Sequence, residues 1–131
     1  MLTNLRQQFV LICLLGIFSL SSTGCWLLVG AAAGAGGVIW VKGRLAQELN
    51  APLDRVHAAS LKALEKMELP LIIDQKDKLS AKIESEFSDR ARVRINIKSI
   101  TTRSSRIEIR VGTLGDEQRS RQILDNIEHY L

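Results

Sequence analysis

The chain has 131 residues, of which 46% are hydrophobic and 24% charged, and its formal net charge at pH 7 is +4. Without a leader that ends at Gly24, this length suffices for one domain and not for two. The basic residues are interspersed with acidic ones and form no block, which argues against a nucleic-acid-binding protein and predicts a mixed, solvated surface.

The N-terminal segment is typical of a lipoprotein signal peptide. An apolar run from Phe9 to Leu20 leads into Ser22-Thr23-Gly24 and then Cys25. Small side chains let the extended backbone enter a signal peptidase, and the Cys25 thiol is the nucleophile that takes a diacylglycerol. We therefore predict a signal peptide over residues 1–24, cleavage between Gly24 and Cys25, and a lipid anchor on Cys25. The alternative is an uncleaved transmembrane anchor, although the apolar run is short against the roughly 20 residues that a bilayer needs.

Cysteine usage excludes a disulfide framework in the processed protein. Cys13 leaves with the leader and Cys25 is acylated, so no internal disulfide can form. Trp26, in place of aspartate after the lipidated cysteine, favours the outer over the inner membrane under the sorting rule of enteric bacteria.

A second apolar stretch runs from Trp26 to Val41, with alanine and glycine at its centre. Gly30 and Gly34 are four residues apart, as are Ala33 and Gly37, so a helix here would present a smooth face for close helix–helix contact. Two interpretations stay open. The segment inserts in the membrane and self-associates, or it is a tether over residues 25–41 whose tryptophans rest at the membrane interface.

A strand and a helix are predicted next. Side chains alternate from Val41 to Leu49, which favours a half-buried strand. Asn50 is the predicted N-cap of a helix that has Pro52 in its first turn and ends before Pro70. The helix has one apolar stripe, made of Leu53, Val56, Ser60, Leu64 and Met67, with Ala59 and Ala63 beside it.

His57 lies in this helix beside the apolar stripe. No cysteine and no second histidine is near it in the sequence, and His129 lies at the tail of the chain. We interpret His57 as a packing or surface residue, not as a metal ligand. The sequence predicts no catalytic residues, no metal site and no cofactor.

Alternating side chains predict an antiparallel meander over residues 79–111, with one apolar and one wet face, preceded by a strand over residues 69–75. If Phe87 pairs with Ala91, Glu86 lies opposite Arg92 and Glu84 opposite Arg94.

In the second hairpin we predict Val93 opposite Ile109, which puts Arg94 beside Glu108. A two-residue slip would set Arg94 against Arg110, a like-charge pair that destabilises a sheet. The interleaved charges favour a cross-strand lattice; the alternative is a basic face that binds anions.

The last helix begins after a glycine-rich turn. Gly112 and Gly115 permit backbone angles that other residues resist, and Asp116 can cap the free amides of the helix. The helix has an apolar stripe of Ile123, Leu124, Ile127, Tyr130 and Leu131. We interpret this turn as structural rather than as a phosphate-binding loop.

Several of these segments together resemble a family of small bacterial lipoproteins catalogued as domain of unknown function 3568. They are the Gly24-Cys25 site, the Ala/Gly-rich stretch, Val41-Lys42-Gly43, Ala51-Pro52-Leu53 with Ala63-Leu64, and residues 110–116 with 120–124. The segment around Gly112 and Asp116 is the most specific part of the resemblance. The resemblance implies a lipid-anchored α+β domain of uncharacterised activity and supplies no catalytic residues.

The predicted fold is a single α+β domain over residues 42–131, in which two amphipathic helices cover one face of an antiparallel sheet of four or five strands. We expect a non-enzymatic, lipid-anchored envelope protein that faces the periplasm and presents this domain to an unknown envelope protein, with no nucleic-acid partner. The alternatives are an inner-membrane protein that inserts and self-associates through Gly30, Gly34 and Gly37, and a small enzyme.

Overall fold

The computed structural model describes residues 37–131, together with Asn4, Gln7 and Gln8, which are helical. Residues 38–131 form one compact unit. Within it, six strands make one antiparallel sheet: β1 (Ile39–Val41), β2 (Arg44–Leu49), β3 (Leu71–Lys76), β4 (Ser80–Glu86), β5 (Arg92–Ser99) and β6 (Ser105–Val111). The spatial order is β1-β2-β6-β5-β4-β3. Helix α1 (Leu53–Lys66) and helix α2 (Glu117–His129) complete the α+β fold.

The sheet has six strands, so the predicted number of four or five was wrong. The extra strand is β1, which comes from the last residues of the apolar stretch that we interpreted as a tether or membrane segment. Trp40 pairs with Leu45 and Val41 with Arg44 across a turn in which Lys42 and Gly43 both have positive φ, 51° and 74°. A turn of this kind reverses the chain, and the predicted strand from Val41 to Leu49 is therefore the second arm of a hairpin.

Helix α1 begins later than predicted. The N-cap is Pro52, not Asn50, and it has no side-chain cap: its carbonyl accepts from the backbone N–H groups of Arg55 and Val56 at 3.0 and 3.1 Å. At the other end, Glu68 adopts a φ of 57°, and Leu69 N–H donates to Leu64 O at 2.9 Å. This left-handed residue and the long-reach hydrogen bond form a Schellman motif, which ends the helix ahead of Pro70.

The meander confirms the predicted faces of its three strands and the register of its first hairpin. Phe87 N–H donates to Ala91 O at 2.9 Å, and Glu84 lies opposite Arg94 and Glu86 opposite Arg92.

The predicted register of the second hairpin was wrong: Val93 lies opposite Val111, and Arg94 lies opposite Arg110. The turn is the reason. Ile100 N–H and Thr101 N–H both donate to Ser104 O, and the Thr101 hydroxyl hydrogen-bonds the Ser104 hydroxyl at 2.8 Å. These bonds fix the loop length, and loop length sets hairpin register.

The core lies between the helices and one face of the sheet. It contains most of the predicted stripes of both helices, Ala51 and the inward residues of the strands, namely Leu45, Leu49, Ala51, Leu53, Val56, Ala59, Ala63, Leu64, Ala81, Ile83, Val93, Ile95, Ile97, Ile107, Ile109, Val111, Ile123, Leu124 and Ile127. Of the predicted stripe residues, Met67 and Leu131 are only partly buried and Tyr130 is exposed, because Tyr130 follows the last residue of α2. Buried serines are satisfied by backbone carbonyls: the Ser105 hydroxyl donates to Ala51 O at 2.9 Å and the Ser85 hydroxyl to Pro70 O at 2.7 Å. Both bonds tie loops to the sheet.

Candidate functional site

The face of the sheet opposite the helices is densely charged. Side chains that are register partners share a face, so the outward residues form rows across the strands. One row runs Arg110, Arg94, Glu84, Ile73, and the next runs Ala46, Glu108, Asn96, Lys82, Gln75. A third runs Glu48, Arg106, Lys98, Ser80. We name this surface the open face; it also includes Arg44, Glu86 and Arg92.

Glu84 is the anionic centre of the open face. Its side chain is 7% exposed, and its carboxylate lies 3.0 Å from Lys82 Nζ, 3.8 Å from Arg92 Nη1 and 3.9 Å from Arg94 Nε. The hydrogen bond from Lys82, reinforced by the nearby positive charges of Lys82, Arg94 and Arg92, lowers the pKa of Glu84 against the opposing effect of burial. Glu84 therefore stays ionised and holds three cations near one another.

Ion pairs organise the β2 side of the same face. Arg44 lies 3.5 Å from Glu108, and Arg106 pairs with Glu48. A shallow hollow of about 450 Å³ lies between the Arg44–Glu108 pair and Glu84, and it is lined also by Asn96 and Arg110. The predicted cross-strand charge lattice thus exists, but with Arg94 beside Arg110 in place of Glu108.

The turn before α2 has a structural role in this geometry. The Asp116 carboxylate accepts from Arg119 N–H at 3.0 Å as the N-cap of α2. Gly112 and Gly115 have φ of 74° and 89°. A Cβ built on Gly43 would lie 2.5 Å from Leu114 O, so the β1–β2 turn and the turn before α2 meet backbone to backbone.

His57 has a partner that the sequence analysis missed. Its Nε2 lies 2.6 Å from Asp74 Oδ1 on β3, and the residue is 8% exposed. The pair joins α1 to an edge strand, and the Lys76–Asp54 ion pair at 2.8 Å is a second contact between the same two elements. Asp74 faces the helices by its position in the strand, but the sequence of β3, three apolar residues followed by three polar ones, does not alternate and so does not reveal which face Asp74 is on.

Of the residues that the sequence singled out, Gly24, Cys25, Gly30 and Gly34 lie outside the described residues. Gly37 is exposed and lies in no helix or strand. Among the described residues, no group of three histidine, cysteine or acidic side chains could hold a metal ion, and no helix has the length and apolarity to cross a membrane.

A family model described as "Protein of unknown function (DUF3568)" matches residues 8–130. The match covers nearly the whole chain, so the chain belongs to this family, and the predicted membership of domain of unknown function 3568 is confirmed. No curated protein matches the chain.

Proposed function

We propose that this member of the DUF3568 family is a bacterial envelope lipoprotein, anchored through Cys25, whose α+β domain binds an envelope protein through the open face. It acts without catalysis and faces the periplasm, and the outer membrane is the favoured location. The open face is the observation that supports this proposal most. The helices and the core lie on the other side of the sheet, so the open face is a broad surface of residues 38–131 that no helix covers.

The charge of the open face supports a binding role. Basic side chains outnumber acidic ones there, with Arg44, Lys82, Arg92, Arg94, Lys98, Arg106 and Arg110 against Glu48, Glu84, Glu86 and Glu108. Charged, half-exposed side chains held by a rigid sheet give specificity and fast association with a partner of complementary charge. We therefore expect the partner surface to be acidic.

The arrangement of the titratable residues does not support an enzyme. Glu84 is the most buried carboxylate of the open face, but its pKa is lowered, which makes it a weak base and no acid at neutral pH. The Ser60 hydroxyl lies one turn from His57 on α1 and donates to Val56 O at 2.7 Å, so its proton is committed to the helix backbone.

The anchor is tested by mass spectrometry of the N-terminus of the protein purified from membranes. The motivating observation is the run of small residues into Cys25, after an apolar segment too short to span a bilayer well. We expect an acylated Cys25 as the first residue, and an unprocessed precursor for Cys25→Ala. A chain with Met1 intact and Cys25 unmodified would contradict the anchor and favour the alternative of an inserted, self-associating segment.

The binding face is tested by photo-crosslinking in cells. A benzoylphenylalanine at Asn96, in the middle of the open face, should give one discrete adduct with another protein. The same residue at Gln122, exposed on α2, is the control and should give none. Equal adducts from both positions, or none from Asn96, would contradict a binding role for the open face. An adduct of two copies of the chain would replace the partner protein with self-association.

A further inference from the structure

A second hollow lies at the end of the open face, where β5 begins and β6 ends. Its volume is about 230 Å³, and four arginines line it: Arg90, Arg92, Arg94 and Arg110. The backbone of Gly112 and Thr113 closes one side, and no acidic side chain lines it. We name this feature the arginine hollow.

Local structure forces these arginines together. Arg90 stands at a φ of 66° in the β4–β5 turn, and its N–H donates to Phe87 O at 2.9 Å. Arg92 O accepts from Gly112 N–H at 2.9 Å, which ties the start of β5 to the end of β6. Arg94 and Arg110 are direct cross-strand partners. The register of the second hairpin, set by its distant turn, thus places two guanidinium groups side by side.

This end of the open face is short of negative charge. Glu84 is the carboxylate that forms ion pairs here, and it is shared between Lys82, Arg92 and Arg94 with the two arginine contacts at 3.8 and 3.9 Å. Glu86 lies opposite Arg92 in the register but forms no ion pair with any of residues 37–131. Arg90 and Arg110 form no ion pair with any of residues 37–131. Elsewhere on the face the arginines are neutralised, Arg106 by Glu48 and Arg44 by Glu108.

Arg110 also keeps an unused donor. Its Nη2 donates to Thr113 O, but its Nε is buried and has no hydrogen-bond partner within the described part of the chain. A buried donor without a partner costs free energy, and a like-charge pair across a sheet is also destabilising. An oxyanion in the arginine hollow would offset the repulsion between Arg94 and Arg110, and it offers Arg110 an acceptor close to the unused donor.

We propose that the arginine hollow binds a phosphate group. A guanidinium presents parallel N–H donors that match the oxygens of phosphate, and several guanidinium groups around one site favour a doubly charged anion over a carboxylate. The proposal concerns residues 90–113 alone and depends neither on the lipid anchor nor on a protein partner at the open face. The phosphate belongs either to a soluble phosphate or to a phosphomonoester headgroup of a membrane lipid.

The test is a titration of the full chain, purified in detergent, with inorganic phosphate at constant ionic strength. The readout is the set of arginine Nε–H resonances in ¹H–¹⁵N NMR spectra, because Arg110 Nε is the unused donor. We expect a saturable shift of the Arg94 and Arg110 resonances, which acetate at equal ionic strength does not reproduce. A second arm places phosphatidic acid in the micelle, with phosphatidylglycerol as its comparison.

Arg94→Gln is the test variant and Arg106→Gln the matched control. Both remove one arginine from the same face, and the two side chains are equally exposed, at 52% and 51%. We expect Arg94→Gln to weaken phosphate binding at least about tenfold and Arg106→Gln to leave it within about twofold. Thermal melts of both variants verify that they are folded.

The two arms separate the sources of the phosphate. A stronger response to phosphatidic acid than to inorganic phosphate assigns the site to a lipid headgroup, and the reverse assigns it to a soluble phosphate; either supports the hollow as a phosphate site. The absence of a saturable shift in both arms overturns the proposal. Equal weakening by Arg94→Gln and Arg106→Gln also overturns it, because a diffuse positive surface would behave in that way.

Discussion

Gly43 and Gly115 contact each other through their backbones, although they lie in turns at opposite ends of the folded chain. A Cβ on Gly115 would lie 2.6 Å from Gly43 Cα, and one on Gly43 would lie 2.5 Å from Leu114 O. Both glycines belong to segments that resemble the family, Val41-Lys42-Gly43 and the Gly112–Asp116 turn. Their contact holds the β1–β2 hairpin against the start of α2.

We expect Gly43→Ala to destabilise the protein more than Gly112→Ala does. Both glycines have a φ of 74°, so both substitutions strain the backbone by about 1–2 kcal/mol. A Cβ on Gly112 meets no described atom within 4 Å, whereas one on Gly43 collides with the Leu114 carbonyl. Urea unfolding should therefore give an additional loss of at least about 1 kcal/mol for Gly43→Ala. Equal losses would mean that the two turns do not touch.

The two faces of β5 are tested by neighbouring substitutions. Ile95 is fully buried, so Ile95→Asp should place a carboxylate in the core and lower the free energy of unfolding by about 3 kcal/mol or more. Arg94 is half exposed and lies beside Arg110, so Arg94→Ala should change the free energy of unfolding by less than about 1 kcal/mol. Similar losses in denaturant titrations of the two variants would mean that the faces are assigned wrongly.

Glu84 should make stability fall in acid. Its pKa in the folded protein is lowered from the usual 4.5, chiefly by the hydrogen bond from Lys82. The ionised form therefore stabilises the fold above pH 4.5, and this contribution is lost as the pH falls from 4.5 through the lowered pKa. The Glu84→Gln variant lacks this contribution. Its free energy of unfolding should therefore fall less steeply than that of the wild type between about pH 5 and about pH 2. Parallel pH profiles from thermal melts would contradict this role.

Residues 38–131 should fold without the preceding segment, because this range is a compact unit with its own core. We expect a cooperative transition by circular dichroism in soluble form. A shorter chain that begins at Lys42 lacks β1 and the contact of Trp40 with the core, and it should unfold at a lower denaturant concentration. If the longer chain shows no cooperative transition, the core depends on residues outside it.

Alternation of side chains was sufficient to predict the faces of β4, β5 and β6, since a period of two permits only one buried set. Helical spacing likewise predicted the buried residues of α1 and α2, except Tyr130, which follows the end of α2 and is exposed. Neither pattern could identify β1, because Ile39-Trp40-Val41 continues the apolar stretch before it without any change in the sequence pattern.

The remaining differences come from interactions that a local pattern does not contain. The register of the second hairpin depends on hydrogen bonds of Thr101 and Ser104 in its turn. Charge complementarity predicted a register shifted by two residues, with Arg94 opposite Glu108. An exposed ion pair contributes less than about 1 kcal/mol, which is too little to outweigh a well-formed turn. The His57–Asp74 pair and the Gly43–Gly115 contact join residues distant in sequence.

The strand order also bears on the route by which the chain folds. Strands β3, β4 and β5 each pair with the next strand in the sequence, so these hairpins close short loops. β2 pairs with β6 instead, across α1, β3, β4 and β5. Closing so long a loop costs more conformational entropy, which delays that pairing until the meander is in place. We therefore expect the N-terminal hairpin to join the meander after the meander has formed, so that the β2–β6 pairing closes the sheet.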